Sequence, residues 1–159
     1  MTQPASVLHL ETKLPAPLVA AVAGASMKLY AKSAGLSLDP AVHRVYLGIA
    51  LSQASIVIVM AGAMSLWRAR TTINPLDPTK ATSLVTGGAF RFSRNPMYVS
   101  LLILLVAYAE RLNSVIEWLG PLFYVAYMTY FQILPEERAL HAKFGEAFVR
   151  YKARTRRWL

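Results

Sequence analysis

The amino-acid sequence predicts an all-α integral membrane protein with about four transmembrane helices and a C-terminal cytoplasmic amphipathic helix. Three observations carry that prediction. The 159 residues are 55% apolar and only 16% charged, against roughly 25% charged in an average soluble domain, so polar surface is too scarce to cover a water-exposed globule. The apolar residues gather in blocks of membrane length. The basic residues then sort unequally between the two sides that those blocks define.

The first span is predicted over 14–31. Leu14 to Met27 holds 14 uncharged residues before Lys28, and Lys28 and Lys32 can snorkel while Tyr30 sits at the interface. A cleaved signal peptide is the alternative. The preceding residues contain a single Lys together with Glu11, and no small-x-small site ends the run, so a retained helix is favoured. The second span, 45–67, is the clearest, with 23 uncharged residues between Arg44 and Arg68, where about 20 suffice to cross the hydrocarbon layer. The third, 95–111, is shorter: Asn95 to Ala109 gives 15 residues, about 22 Å of helix, so it tilts, borrows flanking residues or leans on a neighbour. The fourth, 115–134, rests on the 18 uncharged residues from Trp118 to Pro135. Over 135–157 the spacing of Leu140, Phe144, Phe148, Tyr151 and Thr155 predicts one amphipathic helix. Pro135 suits its first position, and Glu136 and Glu137 suit its first turn.

With the amino terminus inside, thirteen of the 17 basic residues fall on the inner side and four (Lys28, Lys32, Arg44, Arg111) on the outer. Both termini are therefore expected in the cytoplasm; in a bacterium the membrane is the inner one. Five of the eight residues from Arg150 to Arg157 are basic. Beside a membrane exit such a cluster reads as an orientation signal and anionic-lipid contact rather than a nucleic-acid surface. The absence of Cys excludes thiol nucleophiles and cysteine-ligated metals, and three scattered His make any metal site improbable.

The inner connection, 68–94, is the unusual segment. Thr71 to Pro78 is turn-rich, and Gly87-Gly88 allows close backbone approach. A double glycine by itself reads first as a tight turn. Ser93-Arg94-Asn95-Pro96-Met97-Tyr98 follows, with Asn95 as a cap and Pro96 opening the third span.

The run Ser83-Leu84-Val85-Thr86-Gly87-Gly88-Ala89-Phe90-Arg91-Phe92-Ser93-Arg94-Asn95-Pro96-Met97-Tyr98 is followed by Pro135-Glu136-Glu137-Arg138-Ala139-Leu140 and Phe144-Gly145-Glu146-Ala147-Phe148. In that order they resemble the isoprenylcysteine carboxyl methyltransferase and phospholipid methyltransferase superfamily, over about residues 71–157. The resemblance implies an integral-membrane enzyme using S-adenosylmethionine. It also implies a cofactor site on the cytoplasmic side formed by Ser83, Leu84, Val85, Gly87, Phe90, Arg94, Asn95, Pro96, Met97 and Tyr98 with Glu136 and Glu137. Such a cofactor carries a sulfonium, an ammonium, a carboxylate and ribose hydroxyls, so it needs carboxylate acceptors, guanidinium or N–H donors, and an apolar wall. On that reading Glu136 or Glu137 holds the ribose or the ammonium. Arg94 lies near the carboxylate or acts structurally, and Phe90, Met97 and Tyr98 line the adenosine.

Two departures qualify the resemblance. Asn95 stands where relatives usually have His, which excludes a role for imidazole protonation and keeps hydrogen bonding. Tyr127 to Pro135 contains no basic residue, whereas the isoprenylcysteine enzymes hold their substrate carboxylate with an Arg about a turn before the glutamates; this argues against a prenylcysteine substrate. If the acceptor is an amine it must lose a proton, with Glu136, Glu137 or His141 as candidate bases. Tyr108, Tyr124, Tyr127 and Tyr130 read as hydrogen-bonded span residues, and Gln53 and Gln132 as helix contacts or the lining of a substrate path.

The expected function is methyl transfer from S-adenosylmethionine to a small lipophilic or lipid-linked acceptor reached from the bilayer. Two alternatives stay open: a non-catalytic membrane module with a vestigial fold, and a membrane reductase of the sterol reductase type using NADPH. The short inner connection and the lack of an extra basic cluster for a 2′-phosphate argue against the reductase.

Overall fold

In a computed structural model, residues 14–70 and 82–159 are described. The leader, 1–13, and the middle of the inner connection, 71–81, including the turn-rich Thr71 to Pro78, lie outside the described residues. Among the described residues all regular structure is helical: α1 (Ala16–Ser33), α2 (Val42–Arg68), a 3-10 turn (Gly88–Arg91), α3 (Pro96–Leu112), a second 3-10 turn (Val115–Trp118), α4 (Leu119–Tyr127), a π-helical segment (Met128–Ile133), α5 (Leu134–Phe144) and α6 (Glu146–Arg154). The all-α class is as the sequence predicts. Among the described residues one helix, Val42–Arg68, is by itself long and apolar enough to cross a membrane.

α3 is the hub, packed against α2 on one side and against α1 and α4 on the other. The α1 side forms the core. Ala16, Val19, Ala20, Ala23 and Met27 recur on one face of α1 and bury against Leu105, Ala109, Tyr124 and Met128. Gly120 lets α4 close onto this face, since a Cβ there lies 2.4 Å from Met27 Sδ.

The α2 side is built differently. Its buried residues are Gly48, Ser55 and Gly62, one every seven positions, while Tyr46, Ile49, Ile56, Val57, Met60 and Trp67 point outward and are exposed. Small residues turned inward and large apolar ones turned outward suit a helix whose solvent is hydrocarbon. Gly62 takes the side chains of Met97 and Pro96, and Ser55 Oγ donates to the Ser100 carbonyl across the interface at 2.8 Å.

The C-terminal half departs from the sequence expectation. The fourth span does not stop before the glutamates: α4 runs through the π segment directly into α5. Pro135 lacks an N–H and its ring crowds the carbonyl four residues back, so an α-helix there loses a bond. The wider π turn just before it absorbs the misfit. The single helix expected over 135–157 is two, broken at Gly145, which sits at φ +50 with nothing against its open side. After α6 the chain becomes extended at Thr155 and runs back beside residues 93–95.

Candidate functional site

The N-terminal ends of α3 and α5 meet at two pairs of side chains. Tyr98, in the first turn of α3, donates its hydroxyl to Glu136 Oε1 at 2.6 Å. Arg94, just before α3, pairs through Nη2 with Glu137 Oε1 at 2.8 Å. The two sequence motifs are thus joined residue to residue, although 38 and 43 positions separate the partners.

The two adjacent glutamates have opposite surroundings. Glu137 is buried and accepts from Arg94 and from both Nε and Nη2 of Arg157, each of the latter at 2.9 Å. Lys152 Nζ stands 3.7 Å away. Burial alone raises this carboxyl, but the hydrogen bonds and charges of Arg157 and Arg94 hold it below the usual carboxylate range. The same bonds raise the Arg157 guanidinium.

Glu136 accepts from Tyr98 and from Gln132 Nε2, one turn earlier in the π segment, at 2.5 Å. No cation among the described residues pairs with it. Burial pushes its carboxyl up to about 7, with the neighbouring Glu137 charge adding to the rise and the two hydrogen bonds opposing it. Glu136 is therefore a held, oriented acid that lacks a counter-charge.

The extended C-terminus closes the arrangement. Arg94 N–H donates to the Arg156 carbonyl at 2.9 Å, and Arg94 Nη1 donates to the carbonyls of Thr155 and Lys152 at 2.6 and 3.1 Å. Asn95 Nδ2 donates to the Arg157 carbonyl at 2.8 Å. Tyr151 donates to the Phe90 carbonyl at 2.7 Å, and burial raises its hydroxyl. Trp158 meets the edge of Tyr124 and donates Nε1 to Thr129 Oγ1 at 3.1 Å.

These contacts sort the residues predicted from sequence. Arg94, Tyr98, Glu136 and Glu137 come together directly, and Phe90 and Asn95 reach the same cluster through the C-terminal segment. Asn95 occupies the cap position of α3 without capping it, because its amide is turned to the Arg157 carbonyl. Pro96 and Met97 pack on Gly62 of α2. Ser83 bonds back to the Ala69 carbonyl at 3.3 Å, and Leu84 and Val85 are half-buried. Gly87 precedes the 3-10 turn with open space around it. No contact ties Ser83, Leu84, Val85 or Gly87 to the acid pair among the described residues. Gly88 does require glycine: φ is +60, and a Cβ there lies 2.3 Å from Ser65 Oγ.

Arg94 has both terminal nitrogens engaged by protein. In the basic tail, Arg157 turns inward to Glu137. Sequence reasoning missed Arg157, Tyr151 and Trp158. An inward Arg inside a basic run has no distinguishing signal; a terminal Trp after that run is a weak one.

The sequence model of the phospholipid methyltransferase family matches residues 43–147. An uncharacterized protein of Haemophilus influenzae is 43% identical over 63 residues, which are 40% of this chain and all of that one. No solved structure matches the chain.

Proposed function

The chain belongs to the phospholipid methyltransferase family, and on that premise we propose that it transfers a methyl group from S-adenosylmethionine to a small lipophilic or lipid-linked acceptor at the cytoplasmic face of a membrane. In this reading α1, α2, α3 and α4 with its π extension are the four crossings, both termini are cytoplasmic, and α5 and α6 lie at the inner surface.

The observation that carries the proposal is Glu136: an acid fixed by Tyr98 and Gln132, beside no cation, at the meeting point of both motifs. Its ionised form suits the ammonium, the sulfonium or the ribose hydroxyls of the cofactor, so the donor set fits. When bound, the cofactor supplies an electrophilic methyl group on a sulfonium. The protein's task is then orientation and exclusion of water, and orientation of this kind contributes up to about 7–11 kcal/mol. Tyr98 and Gln132 set the rotamer of Glu136. Glu137, clamped by Arg94 and Arg157, fixes α5 against the start of α3 and is withdrawn from service as a base. Phe90 is tied towards this cluster through its carbonyl, which accepts from Tyr151.

The test is methyl transfer itself. Purified protein with methyl-labelled cofactor and a lipid extract is expected to yield a labelled lipophilic product, identified by mass spectrometry and absent in Glu136→Ala. Cofactor binding without any labelled product across acceptor classes supports the non-catalytic module instead.

A further inference from the structure

Away from the acid pair, the N-terminal half of α2 and the C-terminal half of α3 enclose an open groove of about 540 Å³, walled by Val45, Ile49, Ile56 and Leu104 and carrying Gln53 and Arg111. Gly48 meets Arg111 in this groove, whereas Gly62 meets Pro96 and Met97 at the acid-pair end. The separation of 14 positions between these glycines amounts to about 21 Å of helix, so the groove belongs to the opposite leaflet.

Its two polar side chains stand out by what they lack. The neighbouring acids are taken: Glu110 pairs with Arg44 at 2.7 Å and Asp39 with Arg44 at 3.3 Å. That leaves the Arg111 guanidinium with no acid and no hydrogen-bond acceptor among the described residues, its stem laid across Gly48. Gln53 is exposed on the lipid-facing side of α2, and its amide has no partner there either. An unpaired amide at membrane depth is strongly unfavourable. Gln53 lies five residues further along α2 than Gly48, about 7.5 Å deeper. An anion acceptor at the rim, an amide one short step below it and an apolar wall beyond form an ordered series.

We propose that this groove seats one glycerophospholipid of the leaflet opposite the acid pair, with its phosphate on Arg111, an ester carbonyl on Gln53 and an acyl chain along Ile56 and Leu104. Polarity matches along the whole length: guanidinium to phosphate, amide to ester, branched side chains to hydrocarbon. This seat is separate from the acceptor of methyl transfer and does not depend on that activity.

Native mass spectrometry of the full chain in detergent tests it, with phosphatidylglycerol, a diacylglycerol of the same chains and glycerol phosphate offered separately. One phosphatidylglycerol per chain is expected, with the diacylglycerol and the glycerol phosphate each retained at least ~10-fold more weakly. Arg111→Gln and Gln53→Leu each weaken phosphatidylglycerol by ~10-fold or more, Arg111→Lys restores part of the loss, and Glu136→Gln changes nothing. Ser52→Leu fills the groove independently of either polar group, and thermal unfolding of each lipid-free variant checks that it is folded. Equal retention of phosphatidylglycerol and diacylglycerol, or full retention by folded Arg111→Gln and Gln53→Leu, overturns the proposal. So does loss of the bound lipid in Glu136→Gln, which identifies it as the acceptor.

Discussion

Both ends of the helical bundle close with arginine–carboxylate clusters, and the two clusters differ in burial and in what they leave over. At the end where α3 finishes, Arg44 gathers Asp39 and Glu110, with all three side chains 21–23% exposed; the charged side chain left without a pair is Arg111. At the end where α3 begins, Glu137 gathers Arg94 and Arg157, with the Arg94 and Glu137 side chains each 9% exposed; the charged side chain left without an ion pair is Glu136. Ion pairs in water contribute little, whereas losing one member of a buried pair strands the other. The same chemistry thus ties the start of α2 to the end of α3 at one end and, at the other, braces a site around an acid without an ion pair.

The largest expected effect follows from breaking the Glu137 brace. Glu137→Gln leaves two guanidinium groups short of a counter-charge and should destabilise the protein by about 3–5 kcal/mol, read from denaturant unfolding in detergent. A loss below 1 kcal/mol would mean that the C-terminal segment does not depend on this pair.

Next is Glu136→Gln. It should weaken S-adenosylmethionine about 10–100-fold, the range for a hydrogen bond to a charged group, while leaving the unfolding midpoint at pH 8 unchanged or raised. The two acids also titrate in opposite senses. The folded Glu137 carboxyl is held below its ordinary value, so its stabilisation is complete above that value and is lost as pH falls through the folded one. Glu136 is raised to about 7, so it favours the fold below its ordinary value and loses that contribution as pH rises towards 7. Loss of cofactor binding in Glu137→Gln with none in Glu136→Gln would reverse the roles assigned here.

Gly88→Ala comes third. A positive φ and the nearby Ser65 oxygen should together cost about 1–2 kcal/mol, and the cost should persist when Ser65 is also changed to Ala. Smallest is Glu110→Gln at the Arg44 cluster, expected below about 1 kcal/mol; a change as large as that of Glu137→Gln erases the contrast between the two ends.

Much of the fold could be read from hydrophobic run lengths. Uncharged blocks bounded by charged residues placed α1, α2 and α3 to within a few positions, because a long apolar run closes its backbone hydrogen bonds most simply as a helix. The C-terminal half was less legible. A proline before two acids looks like a helix start, and only the three-dimensional chain shows a π turn carrying the helix through it. Arg94, Tyr98, Glu136 and Glu137 were legible as a group by resemblance, yet which glutamate stays unpaired was not. That choice is made by Arg157, whose long-range return to the site leaves no periodic trace in a basic run.

Calorimetric titration of S-adenosylmethionine into the purified chain at pH 6 and pH 8 tests the central claim most directly. A cation beside Glu136 favours its ionised form, so binding should be saturable, release protons near neutrality and tighten between pH 6 and pH 8; Glu136→Gln should be weak at both. Binding of equal strength at both pH values and in the Gln variant, or no binding at millimolar cofactor, contradicts the account.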